Sequence, residues 1–388
     1  MIEWVLLGQR WNPEGSDELK WGWQALQRQL PAQAKVVQTQ ATSAEALWQA
    51  AVELMQAQGA ELTGASQVLL LAHPHLALAP GTLPALVAAC AANDVASAKS
   101  TQVFCAFDSQ HSHPSHPVNY CTWRGLEHYA ASLQSDDAVM VADPAAPLVK
   151  LVSARALQTD GALSKAPHWA LPKAFAHDYA NYRSSDRSDM LRMVPADVRN
   201  ILDVGGGEGG FLELVKQSRQ CQTHLAEFSA QACEVARGRV DHVWQGDFFT
   251  TAIEGTFDCI SFLDVLEHTT DPLSWLQRAR QFLAPGGVVI TSIPNVGHWS
   301  VVADLLEGRW DYAPVGIHCI THLRFFTRHG IEDLFAQAGF AIDCIEATVV
   351  PPPPWWNLAG LQDATSNMLD IQADKLNAYA YAVRARII

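Results

Sequence analysis

The eight cysteines of this 388-residue chain are scattered, and no C-x-x-C pair occurs among them. That spacing fits neither a disulfide framework nor a zinc site, so a reduced, cytoplasmic setting is expected. Basic residues are also scarce. Against 40 acidic residues stand 26 Lys and Arg, and the net charge of −14 argues against a nucleic-acid or anionic-membrane surface. No apolar run is long enough to span a bilayer, because the most apolar stretch, Val68 to Pro80, is interrupted by His73, Pro74 and His75. The opening residues Met1-Ile-Glu-Trp lack a basic n-region before a long apolar core, so no signal peptide is expected. What remains is a globular composition with 49% apolar residues, and a length that allows two domains.

The most informative stretch is Asn200-Ile-Leu-Asp-Val-Gly-Gly-Gly-Glu-Gly-Gly. Ile201, Leu202 and Val204 read as a short buried parallel strand. Glycines follow at 205, 206, 207, 209 and 210, and then Phe211-Leu-Glu-Leu-Val-Lys has helical spacing. Strand, glycine turn and helix make up a nucleotide-binding crossover, in which glycine permits a tight turn and close approach of a ligand. Gly205, Gly207 and Gly210 satisfy G-x-G-x-x-G, a pattern shared with dinucleotide sites.

Asp203, two residues before Gly205, separates the alternatives. L-D-V-G-G-G-E-G-G resembles the first motif of class I S-adenosylmethionine-dependent methyltransferases. That resemblance implies a Rossmann-like seven-stranded sheet, with Asp203 near the methionine end of the cofactor and Gly205 and Gly207 beneath the adenosyl group. Glu227 ends a plausible second strand about 20 residues after Gly205, where an acid bonds ribose hydroxyls. Gln245-Gly-Asp-Phe-Phe resembles the third motif of the family, which gives Asp247 the adenine amino group and Phe248 the ring. Leu263 ends the next strand and joins the expected cofactor set. Upstream, His177 to Arg192 looks like the opening helix of small-molecule methyltransferases. Arg187 aligns with an arginine that meets the cofactor carboxylate in polyprenyl-hydroxyphenol O-methyltransferases, and Tyr182 is placed to pack on the cofactor.

Asp264, Glu267 and His268 lie at i, i+3 and i+4, and on a helical turn they would share a face. They resemble the E-x-x-E-H element of the same O-methyltransferases, some of which bind magnesium there. Capping of the strand end is favoured over a bound magnesium ion. Asp271-Pro272 opens a helix. After Leu283-Ala-Pro-Gly-Gly comes a strand, and Ile293-Pro-Asn-Val-Gly-His begins an insertion expected to cover the pocket. Its L-L-E-G-R-W-D-Y and T-H-L-R-F-F-T segments resemble methyltransferases of polysaccharide clusters, with a departure at His318-Cys319. His298, His318 and His322 are candidate general bases, and His298 and His322 are the catalytic choices. Packing of the lid is an equally weighted role for each. Pro351 to Pro354 with Trp355-Trp356 reads as a stiff aromatic connection.

Residues 1–171 read as a separate α/β domain with a parallel sheet, and 172–388 as the methyltransferase domain. Val68 to Leu83 loosely resembles GT-A glycosyltransferases, but His73 and His75 stand where that family carries metal-binding acids. A degenerate domain for docking or homo-oligomerisation is expected in place of a second transferase. His111, His113 and His116 read as solvated loop residues. The expected activity is transfer of a methyl group from S-adenosylmethionine to an oxygen of a small molecule or sugar. Two alternatives stay open: an NAD(P)-dependent oxidoreductase on the same glycines, and a non-catalytic binding or scaffold protein with a vestigial cofactor site.

Overall fold

The computed structural model describes residues 2–8, 17–58, 66–73, 75–79, 81–101, 122–125, 127, 139–140, 148–159, 169–178, 186–350, 352, 357–365 and 371–388. The expectations for the histidines at 111, 113 and 116, Tyr182 and Trp355-Trp356 lie outside these residues. The chain divides into two units. The first comprises Met1–Ala106, Gln110–Ala180 and Asp311–Ile320; the second comprises Phe107–Ser109, Asn181–Trp310 and Thr321–Ile388.

The first unit is built on one sheet of β1 (Ile2–Leu7), β2 (Lys35–Gln38), β3 (Gln67–Leu71), β4 (Leu76–Leu78), β5 (Val95–Thr101), β6 (Val139–Met140), β7 (Val149–Ser153) and β8 (Trp169–Asp178). Their order is β2-β1-β3-β7-β5-β8-β4, with β6 on β8. Helices Asp17–Gln27 and Thr82–Asn93 pack on one face; Ala44–Gln58 and Ala154–Thr159 pack on the other. The sheet is mixed, contrary to the parallel expectation, because β7 runs antiparallel to both β3 and β5. Hydrophobic periodicity carries no strand direction. The expected boundary after Leu171 also falls inside an element. Around Pro172 the pairing of β8 with β5 skips from Leu171 to Phe175, and the strand then continues. A proline has no N–H for the ladder, so a strand interrupted this way imitates a linker.

The second unit holds a seven-stranded sheet of β9 (Asn200–Val204), β10 (Gln222–Glu227), β11 (His242–Gln245), β12 (Phe257–Leu263), β13 (Leu283–Pro294), β14 (Phe340–Val349) and β15 (Ala378–Ile387). The order is β11-β10-β9-β12-β13-β15-β14; every pair from β11 to β13 is parallel, and β15 is antiparallel to its neighbours. Branched and aromatic residues fill both faces of this sheet. Leu202, Phe262, Val289 and Ile293 face one core, and Ile201, Leu225, Cys259 and Ile290 face the other. The strand order reverses at β9, which has β10 on one side and β12 on the other. Such a switch point opens a crevice at the carboxyl ends of the strands.

Local chemistry sets the ends of the flanking helices. Asp271 caps Pro272–Ala279 through the Ser274 amide, Ser229 caps Ala230–Ala236 and Thr327 caps Arg328–Gln337. The opening helix expected over His177 to Arg192 does not form in the described part. His177 and Asp178 end β8, and Ser188–Met193 is a short 3-10 helix. Asp186 accepts the Ser188 amide, and Arg187 takes a left-handed conformation (φ 46°), so the local turn displaces the helix.

The insertion after β13 is closed at its base. Asn295 is buried and donates to the carbonyls of Ala378 (2.7 Å) and Lys375 (3.1 Å), while its side-chain oxygen accepts the Gly297 amide. Val296 donates to the Phe326 carbonyl where the insertion returns. Replacing Asn295 by Ala strands these partners in the interior. The expected loss is about 1–3 kcal/mol in urea unfolding followed by tryptophan fluorescence.

Candidate functional site

An acid stands at or just beyond the carboxyl end of each of β9, β10 and β11. Asp203 precedes the glycine turn and is 1% exposed. Its Oδ1 accepts from Ser261 Oγ (2.7 Å), while Oδ2 is buried with no hydrogen-bond partner. Burial pushes its pKa up to about 7; Glu227 adds to the rise, and Ser261 and Arg187 oppose it. Glu227 ends β10. One oxygen accepts the Gly207 amide (3.0 Å) and the other the Ser229 amide (2.7 Å). Each oxygen keeps a second lone pair for a hydroxyl. Asp247, just beyond β11, is exposed and accepts the Phe249 amide (2.7 Å).

The loop between Asp203 and the helix Gly210–Arg219 depends on glycine at two adjacent positions. Gly205 has φ 74°, and a Cβ there would meet Val265 Cγ2 at 2.8 Å. At Gly206 the backbone is ordinary, but a Cβ would lie 2.1 Å from Asp203 Oδ2. Gly207 adopts φ 56° and turns its amide onto Glu227. Of these three, the spacing pattern passes over Gly206, which the buried carboxylate makes obligatory.

A cavity of about 520 Å³ opens beside β11 and β12, lined among others by Asp247, Phe249, Val265, His268 and Trp275. The ring beside Asp247 is therefore Phe249, which is 40% exposed. Phe248, the expected cofactor contact, is 3% exposed and packs among Phe262, Trp275 and Phe282 in the core. Arg278 braces this pair. Its Nε donates to the Phe248 carbonyl (2.8 Å), and its guanidinium lies over both rings. Phe228, directly after Glu227, is also largely exposed. Leu263 is half-buried at the end of β12.

Arg187 joins this edge from the opposite side. Its guanidinium pairs with Asp264, donates to both oxygens of Asp189 (2.9 Å each) and reaches Ser292 Oγ (3.0 Å). Asp264 also accepts from Ser292 (2.8 Å) and takes φ 54°. Its carboxylate is thus committed to Arg187 and Ser292, and the expected face of Asp264, Glu267 and His268 does not form. His322 from the returning insertion takes the third place. One ligand-type atom from each of Glu267, His268 and His322 lies within 4.8 Å of the others. Glu267 is 1% exposed, and both of its carboxylate oxygens lack a hydrogen-bond partner. Burial, with Asp264 adding, pushes its pKa well above the usual carboxylate range. The rings of His268 and His322 meet edge to face at 4.7 Å. His268 Nδ1 donates to the Thr321 carbonyl (3.2 Å), which makes Nε2 the lone-pair nitrogen of the neutral ring. Magnesium, implied by the E-x-x-E-H resemblance, does not fit here, because it prefers an all-oxygen shell and the carboxylate of Asp264 is turned away.

His298 is not part of this convergence. It is fully buried, and burial holds its pKa down at about 4. Nε2 lies 3.0 Å from the Val350 carbonyl and Nδ1 lies 2.8 Å from Ser300 Oγ. The ring also accepts the Ser300 amide at the start of the helix Trp299–Leu306. Both nitrogens are spent on structure, so His298 is a helix cap and cannot serve as the general base. His318 is buried as well, with its pKa lowered to about 4 by desolvation.

The contact between Gly206 and Asp203 gives a direct test. Gly206→Ala forces the carboxylate or the loop to move, and overpacking of this kind costs about 1–3 kcal/mol. Denaturant unfolding is expected to show that loss, whereas Gly255→Ala, at a left-handed position with open space around it (φ 94°), carries only backbone strain.

Residues 175–345 match the family model described as a methyltransferase domain. The ubiquinone biosynthesis O-methyltransferase of Cereibacter sphaeroides (strain KD131) is 26% identical over 181 residues, covering 44% of this chain and 72% of that protein. Its namesake from Idiomarina loihiensis is 31% identical over 137 residues, covering 33% and 55%. Among solved structures, an O-methyltransferase from neocarzinostatin biosynthesis superposes with a TM-score of 0.37 at 17% identity, covering 53% of this chain and 55% of that one. The matched region contains the switch-point crevice, the acid before the glycine turn and the acids ending the next two strands, so the likeness to methyltransferases lies in the second unit.

Proposed function

We propose that the second unit transfers a methyl group from S-adenosylmethionine to an oxygen of a small molecule. The observation that carries this is the row of Asp203, Glu227 and Asp247 at the ends of three neighbouring parallel strands. The residues fit the cofactor. The orphaned Oδ2 of Asp203 awaits a donor beneath the glycine turn, Glu227 retains lone pairs for ribose hydroxyls, and Asp247 with the ring of Phe249 borders the cavity where adenine would lie. Bound there, S-adenosylmethionine supplies the methyl group. The protein contributes alignment of the acceptor oxygen and an outlet for its proton. His268 and His322 stand beside the cavity side of this edge and serve the acceptor, in place of the His298 and His322 pair expected from sequence. A small acceptor agrees with the named chemistry of the relatives. Among the described residues no helix is long and apolar enough to cross a membrane.

A nicotinamide dinucleotide suits the site poorly. Its pyrophosphate would need loop amides, yet Glu227 already occupies that of Gly207, and Asp203 adds negative charge beneath. Calorimetry is expected to show one S-adenosylhomocysteine bound per chain and no binding of NADH; the reverse result would sink the methyltransferase reading. The pKa of Asp203 sets the pH dependence. Below about 7 its carboxyl is neutral and loses its attraction for the cofactor's ammonium group. Affinity for S-adenosylhomocysteine is therefore expected to be about tenfold weaker at pH 6 than at pH 8, with a flat profile in Asp203→Asn. On an acceptor panel, His322→Ala is expected to lower kcat by roughly 10²–10⁴-fold while the affinity for S-adenosylhomocysteine holds.

A further inference from the structure

Three side chains from two separated segments converge beside the cofactor edge. Glu267 and His268 belong to the turn after β12, and His322 arrives from the end of the insertion. The insertion is anchored at this point by the backbone, since Leu323 N (2.8 Å) and Arg324 N (3.0 Å) both donate to the Glu267 carbonyl oxygen. The Glu267 carboxylate meanwhile points into the cluster with neither oxygen hydrogen-bonded. A buried, unpartnered carboxylate is costly, and native proteins rarely keep one without a ligand or a function for it.

The cluster also has the supporting shell of a metal centre. His268 donates its Nδ1 proton to the Thr321 carbonyl, and this is how a ligating imidazole is usually held, with the other nitrogen turned to the ion. Asp264, Asp189 and Asp203 lie around the single guanidinium of Arg187, so the surroundings are acidic overall and favour a dication. Two imidazoles and one carboxylate suit zinc, cobalt, nickel or ferrous iron; magnesium would want oxygens.

We propose that Glu267, His268 and His322 form a binding site for a borderline transition-metal dication of the zinc class, with Asp264 outside the ligand set. The site deepens the methyltransferase reading, because a dication here would lower the pKa of an acceptor hydroxyl placed against it. Only that role rests on the reading; binding of the ion does not.

The test uses the full chain, stripped with a chelator and titrated with Co²⁺ while the visible ligand-field bands are followed. One Co²⁺ per chain is expected, displaced by stoichiometric Zn²⁺ and unaffected by millimolar Mg²⁺. His322→Ala and His268→Ala are expected to weaken binding by roughly 100-fold or more, and Asp264→Asn to leave it within about threefold. Near-UV circular dichroism checks each variant, and if His322→Ala fails to fold, Glu267→Gln carries the same expectation. The proposal is overturned if the wild type develops no bands, if both histidine variants bind as the wild type does, if Mg²⁺ competes on equal terms, or if Asp264→Asn abolishes binding. Binding of S-adenosylhomocysteine by the same stripped protein is measured in parallel. Its loss would strike the methyltransferase reading and leave the metal site standing.

Discussion

The guanidinium of Arg187 holds the functional edge together. Its side chain is only 11% exposed, yet it binds Asp189, Asp264 and Ser292 at once. Ser292 lies on β13, Asp264 follows β12, and Asp189 sits in the 3-10 turn before β9. One cation therefore fixes the loop leaving the sheet against the segment entering it. A buried ion pair adds little net stability over an apolar replacement, but removing one partner costs about 3–5 kcal/mol because the other is left charged and dry. The clamp consequently makes the arrangement specific more than it makes it stable. It also decides which acid is available. With Asp264 held by Arg187, Glu267 alone of the two turns to the histidines.

The same cation moderates the charges at the strand ends. Glu227 raises the cost of ionising Asp203, and Arg187 opposes it. Three acids, Asp203, Glu227 and Asp247, stand at or just beyond the ends of adjacent strands along this edge. A sulfonium and an ammonium are attracted by such a field, and a pyrophosphate is repelled. The glycine turn, shared by both cofactor classes, cannot make this distinction. Asp203 makes it, and Gly206 permits Asp203 to sit beneath the turn.

The part of this that the sequence displayed is local. A buried run before a glycine cluster, an acid about 20 residues on, and an Asp-Pro helix start are each written within a few residues, and β9, β10 and the helix Pro272–Ala279 formed accordingly. The arrangements it concealed depend on side-chain direction or on distant partners. Phe248 and Phe249 are chemically identical neighbours; only packing against Phe262 and Phe282 buries the first and leaves the second at the cavity. His298 and His322 carry the same imidazole, but one caps a helix while the other meets Glu267 from more than fifty residues away. The boundary expected after Leu171 falls within β8, where the single missing N–H of Pro172 looks the same in a bulged strand as in a connection.

Glu267 joins these levels. Its backbone carbonyl receives two amides of the returning insertion, and its carboxylate faces the histidine that the insertion brings. The two contacts reinforce each other. Backbone hydrogen bonds to one carbonyl fix the register of Leu323 and Arg324, and that register sets the residue before them, His322, at the cluster. A shift of one position would present Thr321 or Leu323 instead, and neither offers a comparable basic nitrogen. The insertion is thus constrained in sequence where it touches the sheet.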